Sequence, residues 1–155
     1  MDLAKNLRIE CVSRLHPTPP LHLSPERTAA DAVALMQQEG VGCVLVCNQE
    51  RLVGIFTERD LLRRILGPGK PLSVPLSECM THGPVSVRPK EPIAAAVRSM
   101  VSGGYRHLPV VDEEGRPIGI VSVKRIMHYL VEHFPSTVYN LPPEPRAVPQ
   151  EREGA

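Results

Sequence analysis

Thr57 and Asp60 stand three residues apart in GIFTERD, the stretch from Gly54 to Asp60, where an apolar run passes through a hydroxyl residue into a helical pattern. A hydroxyl that accepts from the backbone N–H three positions on, with a carboxylate there reaching back, is a capping box. Capping alone, with a net worth of about 1 kcal/mol, accounts for both residue types without any ligand. A weaker echo, GIVSVKR from Gly119 to Arg125, keeps the hydroxyl at Ser122 but places Arg125 where the first stretch has its carboxylate. Elsewhere the chain offers little reactive chemistry. No GxxxxGK[ST], HExxH or GxSxG string occurs, and His128 and His133 are five apart. Two imidazoles share a helical face at a spacing of four, so no metal site is expected. Asp112, Glu113 and Glu114 fall in a turn and read as solvated. No nucleophile has a base beside it, so neither an enzyme nor a catalytic cofactor is expected.

Each stretch is the end of a longer repeated unit. Pro20, Leu21, Leu23 and Pro25 recur as Pro84, Val85, Val87 and Pro89, a Pro-rich approach into a very short alternating strand. Thr28 to Glu39 carries Ala29, Ala32, Val33, Leu35 and Met36 at helical spacing, and Glu91 to Ser102 repeats the stripe with Ile93, Ala96, Val97 and Met100. Gly40 and Gly104 end these helices as left-handed caps. Strands follow at Cys43 to Asn48 and His107 to Asp112. The second copy then gains one residue in its turn, where Gly115 gives hairpin chemistry and an antiparallel return. Strands Leu52 to Phe56 and Ile118 to Val121 lead into helices Glu58 to Leu66 and Val123 to His133. Each unit is therefore β-α-β-β-α.

Residues 1–11 read as an N-terminal extension with a short helix that packs across a partner chain. Residues 12–68 form unit 1 and 76–134 form unit 2. The Pro/Gly-rich string GPGKPLSVPLSE joins them without periodicity, its linker proper being 69–75. Residues 135–155 read as a polyproline-leaning tail, ordered where it meets a partner.

Net charge is +1 and no basic run appears, so nucleic acid is not expected as the main partner. Aromatic residues make up 3% and Trp is absent, so the core is aliphatic. No apolar run approaches the ~20 residues of a membrane span. MDLAKNLRIE lacks the apolar segment of a signal peptide, and a cytoplasmic location is expected. Of the four cysteines, Cys43 and Cys47 share a strand face roughly 13 Å apart at ~3.3 Å per residue, too far to bridge directly. All four, Cys11 and Cys79 included, read as small apolar residues in a reducing compartment.

A tandem β-α-β-β-α repeat carrying GIFTERDLLRRIL, PVSVRPKEPIAAAVRSM and GGYRHLPVVDEEGRPIGIVS resembles a pair of CBS domains, a Bateman module, over about Val12 to Glu132. The resemblance implies an α+β fold of two pseudo-symmetric units packed through their sheets, with two clefts at the unit interface and a homodimer of such modules. It implies a regulatory, energy-sensing role in which an adenine nucleotide (AMP, ADP or ATP), or S-adenosylmethionine, is bound and not transformed.

The family pattern of a strand glycine, a hydroxyl residue and then a carboxylate falls on Gly54, Thr57 and Asp60. It implies that Asp60 accepts from the ribose hydroxyls while Thr57 and the helix start meet phosphate. Arg106 and His107 would contact phosphate from the other unit, with Arg59 a further cation. Ile55, Phe56, Pro84 and Val85 would wall the purine. In the second cleft Ser122 keeps the hydroxyl, but Arg125 cannot accept from a sugar, and Gly42 and Cys43 replace Arg106 and His107. Lys124 and Arg125 suit a bare anion, or Arg125 fills the cleft itself. One nucleotide per chain, at Asp60, is the expectation. The alternatives are a ligand-free interaction module that docks an unknown regulated protein through its tail and linker, and an S-adenosylmethionine-binding pair.

Overall fold

The computed structural model describes residues 2–139. Helix α1 (Leu3–Ile9) is capped by Asp2, whose side chain accepts from Lys5 N, and a 3-10 turn (Val12–Leu15) follows. Then come β1 (His22–Leu23), α2 (Ala29–Glu39), β2 (Cys43–Asn48) and β3 (Arg51–Thr57). Helix α3 (Glu58–Asp60) runs directly into a π-helix (Leu61–Leu66). The second half comprises α4 (Leu76–Cys79), β4 (Thr81–His82), α5 (Ile93–Gly103), β5 (His107–Val111), β6 (Pro117–Ser122), α6 (Val123–His133) and α7 (Pro135–Tyr139).

The expected unit is present twice. β1 pairs parallel with β2, β2 antiparallel with β3, and β3 antiparallel with β4. In the second half β5 pairs antiparallel with β6, and single bridges Val87 to Val110 and Thr18 to Ile120 stand where the outer strands of the first sheet stand. The two hairpins turn differently. Gln49 and Glu50 both take positive φ, 50° and 69°, so a two-residue turn of the primed hand joins β2 to β3. The longer second turn is tied by Asp112, which accepts from Glu114 N and Arg116 N at 3.0 and 2.9 Å.

Three apolar layers result. Val44, Val46 and Phe56 face α2 and the π-helix, joined by Ala29, Ala32, Met36 and Ile65. Leu108, Val110 and Val121 face α5 and α6 in the second half, with Ile93, Ala96, Met100 and Tyr129. Between the halves lie Cys43, Leu45, Cys47, Ile55 and Ile120. β2 is thus buried on both faces, which is why CVLVC shows no polar alternation. The four cysteines are free, and burial pushes the Cys43 thiol up to about 12, with the Glu58 charge adding to the effect.

Several expectations need correction. The segment before each β-α-β-β unit packs into the opposite half. Val12 and Leu15 complete the core around α5 and α6, held by Val12 N to Glu91 O and Ser13 N to Pro89 O at 2.8 and 3.0 Å. Leu76, Cys79 and Met80 complete the core around α2, held by Leu76 N to Arg27 O and Ala29 N to Val74 O at 2.8 and 2.9 Å. The string read as a featureless linker therefore ends in core residues, and β4, which no periodicity announced, adds an edge to β3.

Helix α1 packs on α5 of its own chain: Leu7 lies against that core, and Tyr129 donates to Asn6 Oδ1 at 2.7 Å. The helix expected over Glu58 to Leu66 is a single α-turn that widens into π geometry, with Gly67 N bonded to Leu62 O. Pro135–Tyr139 is helical, not polyproline, since Pro at a first helical position forfeits no bond. The remainder of the tail, residues 140–155, lies outside the described residues.

Strand glycines make the exchange possible. A Cβ on Gly54 would run into the Met80 sulfur, and one on Gly119 would lie 2.6 Å from Pro17 Cβ. Both crossing segments press directly on a bare strand backbone.

Candidate functional site

β3 delivers Thr57 to the start of α3 in extended geometry, which leaves its hydroxyl free to cap. Asp60 N donates to Thr57 Oγ1 at 3.2 Å, while Thr57 N and Oγ1 donate to Asp60 Oδ2 at 3.0 and 3.1 Å. The capping box read from the sequence is therefore formed. Asp60 has a second set of partners on Oδ1: Arg64 Nε at 3.0 Å and Thr81 Oγ1 at 3.0 Å. Four donors meet one carboxylate that is 6% exposed, so its usual acceptor positions are all occupied. Thr81 belongs to β4, so Asp60 pins the crossing segment to the helix start.

A cleft of about 590 Å³ opens beside this carboxylate, within the range of small-ligand sites. Thr57, Arg59 and Asp60 line it from α3, and Ile55 from β3. Pro84 and Val85 line it from the approach to the second half, and Arg106 and His107 from the entry to β5. Eight of the nine residues expected at the first site thus share one cavity.

Phe56 is the exception. Its ring is fully buried on the opposite face of β3, against Ile65 and Met36, because consecutive strand residues point to opposite faces. The structure also adds residues the sequence reading did not select. Thr81 donates to Asp60, Glu58 and Arg63 bring opposite charges, and Leu62 and Tyr105 bring apolar surface. Arg64, four residues after Asp60, was legible as a helical ion pair. Thr81 had no signal, because only the crossing of the segments brings it there.

His107 stands on the wall between two clefts and lines both. A Cβ on Gly42 would sit 2.6 Å from Glu58 Oε1 and 3.2 Å from His107 Cε1, so the glycine backbone occupies the gap between them. Burial holds the His107 imidazole below its ordinary value, Glu58 opposes this and Arg106 adds to it. The second cleft, about 560 Å³, is lined by Ser122, Lys124 and Arg125 together with His128, Thr18 and Glu39. It stands open, so Arg125 does not fill it. Ser122 caps α6, accepting from Arg125 N at 3.1 Å.

The profile of the CBS domain matches residues 12–67 and, a second time, 76–132. The chain belongs to the CBS-domain family. An uncharacterized protein of Methanopyrus kandleri is 36% identical over 113 residues, 70% of this chain and 58% of that protein, so the chain spans little more than half of that relative. Among solved structures, a CBS domain protein from Pyrobaculum aerophilum complexed with AMP superposes with a TM-score of 0.71 at 24% identity, covering 79% of this chain and 99% of that one. A CBS-domain pair in complex with 5′-methylthioadenosine and S-adenosyl-L-methionine gives 0.71 at 21% identity, covering 78% and 99%. These two likenesses bear on the fold. Among the described residues no helix is long and apolar enough to cross a membrane, and no cluster of His, Cys, Asp and Glu is arranged to hold a metal ion.

Proposed function

We propose that this CBS pair is a regulatory module that binds an adenine nucleotide in the first cleft, one per chain, at Asp60. The observation that carries the reading is the buried Asp60 carboxylate facing Arg106 and His107 across a cavity of about 590 Å³. A carboxylate suits the ribose hydroxyls, the opposite wall suits phosphate, and Ile55, Pro84 and Val85 offer apolar surface to a purine. The AMP of the Pyrobaculum neighbour makes that nucleotide the first ligand to test.

Because Asp60 is saturated, ribose takes the place of one of its side-chain partners, Thr57, Arg64 or Thr81, and Thr81 lies on the segment that crosses from the second half. Where Thr81 yields, ligand binding trades a contact to the crossing segment for a contact to the ligand. That exchange is the differential free energy a regulatory module needs.

The test is thermal denaturation of the wild type and Asp60→Asn with AMP, ADP, ATP and S-adenosylmethionine. A ligand at about 100 times its Kd adds ~2.7 kcal/mol, which is several degrees for a chain of this size. The expected result is a nucleotide-dependent rise in the wild type that Asp60→Asn loses. An equal rise in both proteins would place the ligand elsewhere. A rise with S-adenosylmethionine alone, indifferent to Arg106→Ala, would replace the nucleotide with the phosphate-free ligand.

A further inference from the structure

His107 and Gly42 belong to the linings of both clefts, so an imidazole and a glycine backbone form the partition between them. The histidine is half-buried. Among the described residues its ring nitrogens make no hydrogen bond, and neither is sealed from water. A Cβ on Gly42 would touch both Glu58 Oε1 and this ring, yet Glu58 and His107 do not close to an ion pair. The imidazole therefore has a carboxylate near it and a free polar edge, with no partner committed to either protonation state.

The surrounding charges decide which state the empty cleft favours. On the first side stand Glu58, Arg59, Asp60 and Arg63 from α3 and the π-helix, His82 from β4, and Tyr105 and Arg106 from the approach to β5. On the second side stand Glu39 at the end of α2, Cys43 in β2, and Lys124, Arg125 and His128 on α6. Asp60 is taken up by its four donors, Glu39 is exposed where water screens it, and the Cys43 thiol, pushed up to about 12, stays neutral. Glu58 alone is left to favour a charged ring, against burial and the neighbouring Arg106. A phosphate group beside Arg106 would reverse that balance, since it supplies both negative charge and an acceptor.

We propose that His107 makes ligand capture in the first cleft proton-coupled: the ring takes up a proton when a phosphate group enters, so that affinity rises as pH falls. The inference rests on the reading of the first cleft as a nucleotide site. The proton comes from solvent and adds to the free lone pair of the ring, and the new N–H donates to a phosphate oxygen. No covalent bond is made or broken in the ligand. Because His107 also lines the second cleft, a ligand that covers the ring from the first side leaves it a path to water on the other. The sign follows from linkage: a group that binds protons more tightly in the complex than in the empty protein strengthens binding on the acid side.

The probe is AMP, titrated calorimetrically into the full chain as wild type and His107→Gln between about pH 8 and pH 6, with adenosine as the phosphate-free control. A phosphate monoester takes up a proton of its own at about pH 6, and His107→Gln carries that effect without the imidazole. The ratio of wild-type to variant affinity should rise several-fold towards the acid end. In parallel, the Cε1–H resonance of His107, assigned through the backbone, should titrate at higher pH with AMP bound than in the empty protein, and adenosine should leave it unmoved. That resonance decides the matter in the wild type even if His107→Gln fails to fold. A flat ratio, or a titration that bound AMP does not raise, overturns the proposal and leaves the nucleotide reading standing. So does an equal shift with adenosine, because phosphate would then not be its cause. Absence of AMP binding at every pH removes the nucleotide reading and this proposal with it.

Discussion

A single carboxylate in this chain serves two ends. Asp60 caps α3 through Thr57 and ties α3 to Arg64 and to Thr81, and in the proposed function it also receives ribose. These roles compete for the same lone pairs, which leads to a prediction with opposed signs. Arg64 is about half exposed, so its pair with Asp60 contributes at most about 1 kcal/mol. Arg64→Ala should therefore lower the unliganded Tm slightly while raising AMP affinity several-fold, because Oδ1 is freed. Weaker AMP binding by this variant in calorimetry would show that Arg64 holds the ligand and not the empty site. His107 gives a pH-dependent prediction. Its folded-state pKa lies below the ordinary 6.5, so the unfolded chain binds more protons. The associated stability is fully present above about pH 6.5 and is lost as pH falls through the lowered value. Tm should thus fall less steeply between about pH 7 and pH 5 in His107→Gln than in the wild type, and parallel profiles would refute the assignment. The sequence disclosed the capping box, because it is a local pattern, whereas the place of Arg106 and His107 on the same cleft was implied only by the resemblance. It did not disclose Thr81, or the inward turn of Phe56, because both depend on which face of β3 meets which segment.

The elements were legible wherever period and punctuation agreed. Helices α2 and α5 fall where their apolar spacing and glycine caps put them, and strand β2 where its apolar run puts it. The turn carrying Gly115 gave the antiparallel return of β6. The repeat announced the two-residue β1, but nothing announced β4, the π-turn or the exchanged segments, which have too few residues to establish a period. The glycines at the exchange are a sharper signal. Gly54 and Gly119 occupy equivalent places in β3 and β6, and each meets a crossing segment, but the obstacles differ. Met80 presents a flexible thioether to Gly54, whereas Pro17 presents a rigid ring to Gly119, with Thr18 O 3.4 Å away. Overpacking costs about 1–3 kcal/mol when neighbours cannot yield. Gly119→Ala should therefore destabilise more than Gly54→Ala in urea unfolding, and the reverse order would mean that the Pro17 segment shifts more readily than Met80 repacks.

At the scale of the molecule, two sequence repeats are not two independent folding units. Each core is closed by residues that precede the other repeat's strands, Val12 and Leu15 on one side and Leu76 and Cys79 on the other. The apolar layer of Cys43, Leu45, Ile55 and Ile120 adds a third bond between the halves. A cavity made at the start of repeat 1 should then be felt in repeat 2. Leu15 is 1% exposed, and Leu15→Ala should cost about 2–5 kcal/mol, as for other buried leucines. Hydrogen exchange reads where that cost falls. If the exchange is as described, amides of β5 and β6 lose protection first while those of β2 and β3, nearer to Leu15 in sequence, keep theirs longer. Loss confined to β2 and β3 would mean that each repeat closes its own core. The same linkage bears on the proposed function: Asp60 holds Thr81 of the crossing segment, so a ligand that displaces this contact acts on the joint that makes the two repeats one cooperative body.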